Sequence, residues 1–96
     1  MRLLYSETAV SDLVRLREFI VEKDPLAAAR VGAELVTRIE NLLVFPELGH
    51  IVDQAPDPKV MHDVIFGKYI VRYTIHSETI VILRVWHYYE GRGRIV

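Results

Sequence analysis

Lys68-Tyr-Ile-Val-Arg-Tyr-Thr-Ile-His76, followed by Glu78-Thr-Ile-Val-Ile-Leu-Arg-Val-Trp-His87, is the stretch that decides the fold. Two apolar, β-branched runs flank a polar turn at Ser77-Glu78, which predicts an antiparallel hairpin. Single arginines interrupt both runs. Side chains alternate along a strand, so Tyr69, Val71, Tyr73 and Ile75 share one face, and Ile70, Arg72 and Thr74 the other. In the second strand Val81, Leu83 and Val85 face opposite to Ile80, Ile82, Arg84 and Trp86. A guanidinium is rarely buried without a partner. The faces of Arg72 and Arg84 are therefore predicted to be open, carrying Trp86 and Tyr88 with them, while His87 falls on the buried parity. Such a face suits a peptide strand, or a stacked base with its phosphate. The plainer reading is that both arginines pair with surface carboxylates and the aromatic rings cap a small core.

Working outward, Val60–Phe66 reads as the preceding strand and Gly67 as its turn, while the Pro- and Asp-rich run from Glu47 to Pro58 reads as a surface loop. Upstream lie two helices. Ser6 can cap the first, whose buried stripe is Ala9, Leu13, Leu16 and Ile20, leaving Asp12, Arg15, Glu18 and Glu22 outside it. Asp24 and Pro25 form the N-cap and first residue of the second. Its stripe is Ala28, Gly32, Leu35, Ile39 and Leu42, and it ends at Pro46. Gly32 costs up to about 1 kcal/mol in a helix; it either permits close approach of the first helix or is a tolerated exposed glycine. Met1–Tyr5 reads as a first strand. The order β, α, α, β, β, β predicts an α+β fold, with a helical hairpin packed on a mostly antiparallel sheet.

The chain has 96 residues and a net charge of −1, with no cysteine. One domain over residues 1–96 is expected, with no membrane span, no signal peptide and a cytoplasmic location. Thiolate metal sites and thiol nucleophiles are excluded. His50, His62, His76 and His87 lack metal-ligand spacing, so no metal or cofactor is expected. Asp53, Asp57 and Asp63 read as a solvated scatter. Arg84, Arg92 and Arg94 against Glu90 make only a mildly basic end, well short of a nucleic-acid binder's footprint.

Nearly end to end, the chain resembles the RelE/ParE family of toxins from type II toxin–antitoxin, or plasmid stabilisation, modules. The resemblance is carried by Ala9-x3-Leu13, the Ala28–Leu43 helix, Phe45-Pro46-Glu47-Leu48-Gly49, Gly67-Lys-Tyr69-Ile-Val-Arg-Tyr73 and Ile82-Leu-Arg-Val-Trp-His87. It implies the fold just described and a cognate antitoxin partner whose disordered segment folds onto the toxin, with a toxin–antitoxin heterotetramer as one possible assembly. In the branch that cleaves mRNA on the ribosome an arginine follows the tyrosine of the third strand, where this chain has Ile70. Basic residues of that branch also fall here at Glu90 and His62. The His87-Tyr88 pair does resemble the end of some ribonuclease members. In that reading His87 transfers the proton, Tyr88 assists, and Arg72 or Arg84 holds the phosphate. Leu83-Arg-Val-Trp-His87 is similar to the last strand of the gyrase-poisoning, ParE-like branch, which has no such catalytic set. That branch, with Arg72, Arg84, Trp86 and Tyr88 as partner-binding residues, is the favoured expectation. A ribosome-dependent endoribonuclease is the alternative, and an inactive binding module the third.

Overall fold

Capping chemistry sets the helices. In the computed structural model, which describes residues 1–52 and 61–88, strand β1 (Arg2–Tyr5) runs into helix α1 (Glu7–Lys23). The Ser6 hydroxyl oxygen accepts the N–H of Ala9, satisfying a donor the helix cannot. Asp24 repeats the device for α2 (Pro25–Glu40), accepting from Ala27, with Pro25 at the first helical position. α2 ends at Glu40 in a 3-10 turn, Asn41–Leu43, sooner than its predicted end at Pro46. A side chain added at Gly32 would meet nothing within 4 Å. Gly32 is therefore an exposed, tolerated glycine and not a point of close helix approach.

Four further strands follow: β2 (His50–Ile51), β3 (Met61–Phe66), β4 (Tyr69–His76) and β5 (Thr79–His87). They form one five-stranded sheet in the order β1-β5-β4-β3-β2. β1 runs parallel to β5 and every other pair is antiparallel. The short β2 lies inside the segment predicted as a loop. Gly67, at φ +63°, supplies the left-handed conformation that turns β3 into β4. Val60, Asp53, Asp57, Glu90, Arg92 and Arg94 lie outside the described residues.

The faces of β4 match the alternation, but those of β5 do not. Arg72 pairs with Arg84 and Tyr73 with Ile82, so Leu83 is an extra residue, a β-bulge, and side-chain parity reverses across it. Ile80 and Ile82, predicted beside Arg84 and Trp86, are instead fully buried beneath the helices with Val71, Tyr73 and Val85. Val81 moves the other way. The helix-facing layer thus holds Tyr69, Val71, Tyr73, Ile75, Ile80, Ile82, Val85 and His87, completed by Leu16, Leu35, Ile39 and Leu42 from the helical side. Arg72, Arg84 and Trp86 stay together on the helix-free face, as the sequence predicted.

Candidate functional site

β1 stops at Tyr5, level with Ile82, which leaves the rest of the β5 edge without a strand partner among the described residues. Side chains take its place. The Ser6 hydroxyl donates to the carbonyl of Leu83 at 3.0 Å. Asp12 accepts the N–H of Val85 at 2.9 Å, and Arg15 donates to the Val85 carbonyl at 3.3 Å. Two guanidinium groups then close on the Asp12 carboxylate: Arg84, at 2.8 and 3.2 Å, and Arg15. Asp12 is only 1 % exposed. Burial alone would raise its pKa, but the hydrogen bonds from Arg84, Arg15 and Val85 outweigh it and hold the carboxyl below its ordinary value. Its spacing predicts a place outside the buried stripe of α1. It is instead the group that fastens α1 to the sheet edge.

Arg72 lies across the strand from Asp63 and binds it in two-pronged fashion, Nε and Nη2 to the two carboxylate oxygens at 2.8 and 2.9 Å. The hydrogen bonds that Arg72 donates to Asp63 raise its pKa further, against the opposing effect of burial. Its guanidinium carbon sits 5.5 Å from the centre of the Trp86 ring, within cation–π range. Trp86 is only 7 % exposed, and its indole N–H is buried with no acceptor among the described residues. Both arginines are therefore engaged in ion pairs, unlike the unpaired cations of the open-face reading. Arg72, with its side chain 14 % exposed, also packs as well as pairs. Arg72→Ala should cost about 1–2 kcal/mol, through the unpaired Asp63 and the uncovered indole. A thermal melt lowered by about 8 °C relative to wild type checks this; an unchanged melt would show that the pair contributes nothing.

His87 points to the opposite side of the sheet. Its ring meets Tyr69 edge-on at 5.2 Å and Phe19 of α1 at 5.5 Å, and the residue is 9 % exposed. Tyr88 follows just past the strand, exposed, with its N–H bonded to the Lys68 carbonyl at 2.7 Å. The five sequence-derived candidates are thus divided. Arg72, Arg84 and Trp86 share the helix-free face, His87 is packed under α1, and Tyr88 stands at the rim. An acid–base residue and its phosphate-binding cations must converge on one phosphate. His87 and Arg72, which point to opposite faces of the sheet, do not, and Arg84 is already held by Asp12.

A further polar tie forms where β4 meets the loop after α2. The buried Tyr73 hydroxyl accepts the Gly49 N–H at 2.9 Å and donates to the Pro46 carbonyl at 2.7 Å. Burial raises the Tyr73 pKa above its ordinary value, keeping the phenol protonated as that donation requires. His62 stacks on the same ring at 5.3 Å. Sequence reasoning singled out neither Asp12 nor this tie. The only hints were an aspartate three residues after Ala9 and the Pro46-x-x-Gly49 spacing. Among the described residues no group of three His, Asp or Glu is arranged to hold a metal ion. No helix there is long and apolar enough to cross a membrane.

Residues 3–90 match the family model described as the ParE toxin of the type II toxin–antitoxin system, parDE. The chain belongs to this toxin family. Among curated proteins it is 34% identical to Toxin RelE1 of Caulobacter vibrioides over 91 residues, covering 93% of this chain and 95% of that protein. Toxin RelE2 of the same organism is 27% identical over 86 residues, covering 90% and 93%. The fold is shared with a solved chromosomal ParDE toxin–antitoxin system from P. aeruginosa: TM-score 0.76 at 18% identity, covering 91% of this chain and 95% of that one. It is also shared with the RelB–RelE antitoxin–toxin complex of Methanococcus jannaschii: TM-score 0.56 at 17% identity, covering 97% and 99%. This ParE-family toxin therefore has the expected RelE/ParE-like α+β architecture.

Proposed function

We propose that this ParE-family toxin arrests growth by binding DNA gyrase, performs no bond cleavage itself, and is neutralised by a cognate antitoxin. The observation that supports this best is the division of the candidate residues. His87, the best proton-transfer group in the ribonuclease reading, is packed between Tyr69 and Phe19 on the helix side. Arg72 lies on the other face, paired with Asp63, and the Arg84 guanidinium is held at the β5 edge by Asp12 of α1. Ile70, where the mRNA-cleaving branch has arginine, pairs across the strand with Trp86 and adds no cation. Antitoxin neutralisation is supported by the two solved relatives, one titled a toxin–antitoxin system and the other an antitoxin–toxin complex. The ribosome-dependent mRNA endonuclease is the second reading, favoured by the RelE names of the two curated relatives.

The two readings assign opposite weight to His87. In a gyrase poison it is packing, and a folded His87→Gln variant stays toxic and still triggers the SOS response. In a ribonuclease, losing the general acid or base lowers the rate by roughly 10²–10⁴-fold, and toxicity disappears with cleavage. Inducing the variant in cells while following growth and an SOS reporter separates them, with circular dichroism confirming that the variant is folded. A folded but harmless variant would overturn the proposal.

A further inference from the structure

Between α2 and the β3–β4 turn the surface opens into a cleft of about 280 Å³, lined by Val31, Leu35 and Arg38 from the helix and by Phe66, Lys68 and Tyr69 from the turn. Its floor belongs to the core, with Leu35 5 % and Phe66 8 % exposed. The turn side is held in place. Gly67 fixes the bend at φ +63°, and the Tyr88 N–H bonds to the Lys68 carbonyl at 2.7 Å, tying the turn to the end of β5. The cleft therefore exists before any partner arrives. Its volume falls just below the roughly 300–1,000 Å³ of pockets that enclose a whole small molecule, which suits one projecting apolar side chain.

Two cations stand at its mouth. Arg38 and Lys68 are exposed, and neither side chain is in an ion pair among the described residues. Arg15, Arg72 and Arg84, by contrast, are engaged by Asp12 and Asp63. Glu34 is the one acidic residue among the described lining, so two cations against one carboxylate leave the mouth positive. An apolar slot with a positive rim selects a segment that places an apolar side chain beside carboxylates.

We propose that this cleft is where the toxin grips gyrase, seating an apolar side chain of the enzyme between α2 and the turn while neighbouring carboxylates of gyrase meet Arg38 and Lys68. The inference rests on the gyrase reading above and specifies the toxin surface and the chemistry of the segment it recognises. A preformed slot suits the surface of a folded enzyme, because neither side loses much conformational freedom on docking. A segment that is disordered until it binds gains more by wrapping a large area. The cationic rim also speeds encounter with an acidic surface.

The test compares full-length wild-type toxin with Arg38→Gln, Lys68→Gln and with a control of equal charge change, Arg17→Gln, Arg30→Gln, on exposed helix positions outside the cleft. Circular dichroism and binding to the product of the adjacent open reading frame should match wild type in both. With purified gyrase, ATP and supercoiled DNA, the cleft variant should need at least about tenfold more toxin for half-maximal DNA breakage, and the control no more than wild type. Wild-type binding to gyrase should weaken as ionic strength rises from about 0.01 to 0.1 M, and that of the cleft variant far less. A cleft variant as potent as wild type, or a control equally impaired, overturns the cleft as the docking site and leaves the gyrase reading standing. Loss of antitoxin binding in the cleft variant assigns the cleft to the antitoxin and overturns the proposal too. A wild-type toxin that leaves gyrase unaffected overturns both.

Discussion

Asp12→Ala is expected to destabilise the toxin by about 3 kcal/mol, a large share of the 5–15 kcal/mol typical of a domain. The substitution removes the acceptor for the buried Val85 N–H and leaves Arg84 and Arg15 with no carboxylate between them. Both arginines are partly exposed and can recover hydration, which keeps the cost below that of stranding a fully buried charge. The orphaned Val85 N–H cannot recover it. In a protein of this size the loss corresponds to a fall in melting temperature of about 15 °C. The sign of the pH dependence follows from the lowered Asp12 pKa. A carboxyl depressed in the folded state contributes stability above its unfolded value of about 4, and loses that contribution as pH falls through the folded value. Urea unfolding should therefore show a wide gap between wild type and Asp12→Ala at neutral pH that narrows in acid below pH ~4. A gap that stays constant through that range would mean that Asp12 is not the charged partner described here.

Gly49→Ala should be nearly as damaging, at about 2–4 kcal/mol. The added Cβ would lie 2.8 Å from the Asp63 carbonyl oxygen and 3.0 Å from both the Asp63 carbonyl carbon and Tyr73 Cε1. Two of these three atoms are backbone of β3 and cannot rotate away. The loop must shift instead, which breaks the Gly49 N–H bond to the Tyr73 hydroxyl. Denaturant unfolding measures the loss, with Gly32→Ala as the control. Gly32 has open space around it and lies within α2, so alanine there should be neutral or stabilising by up to about 1 kcal/mol. Equal effects at the two glycines would contradict the packing around Gly49.

Local chemistry made the framework legible. Ser6 and Asp24 mark both helix starts because capping is decided within a few residues, and β4 obeys simple alternation because its side of the ladder carries no extra residue. The bulge at Leu83 left no such mark. It carries no glycine or proline, and the reversal that buries Ile80 and Ile82 is set by the register of β4 and β1 around it. The partners of the arginines were hidden for a different reason. Arg84 finds Asp12 across 72 residues of sequence, a pairing that no periodicity reports. Asp12 looked like a surface residue of an amphipathic helix because a buried carboxylate becomes affordable only when the edge of β5 and two guanidinium groups arrive together. Placing Arg72, Arg84 and Trp86 on one face was within reach of alternation; the ion pairs that engage both arginines required the fold.

Incubating the purified toxin with gyrase, ATP and supercoiled DNA, in parallel with a translating extract containing labelled mRNA, separates gyrase poisoning from mRNA cleavage. Gyrase-linked broken DNA should accumulate while the mRNA stays intact, with wild type and folded His87→Gln behaving alike. Cut mRNA with gyrase unaffected, and cleavage lost in His87→Gln, would contradict it.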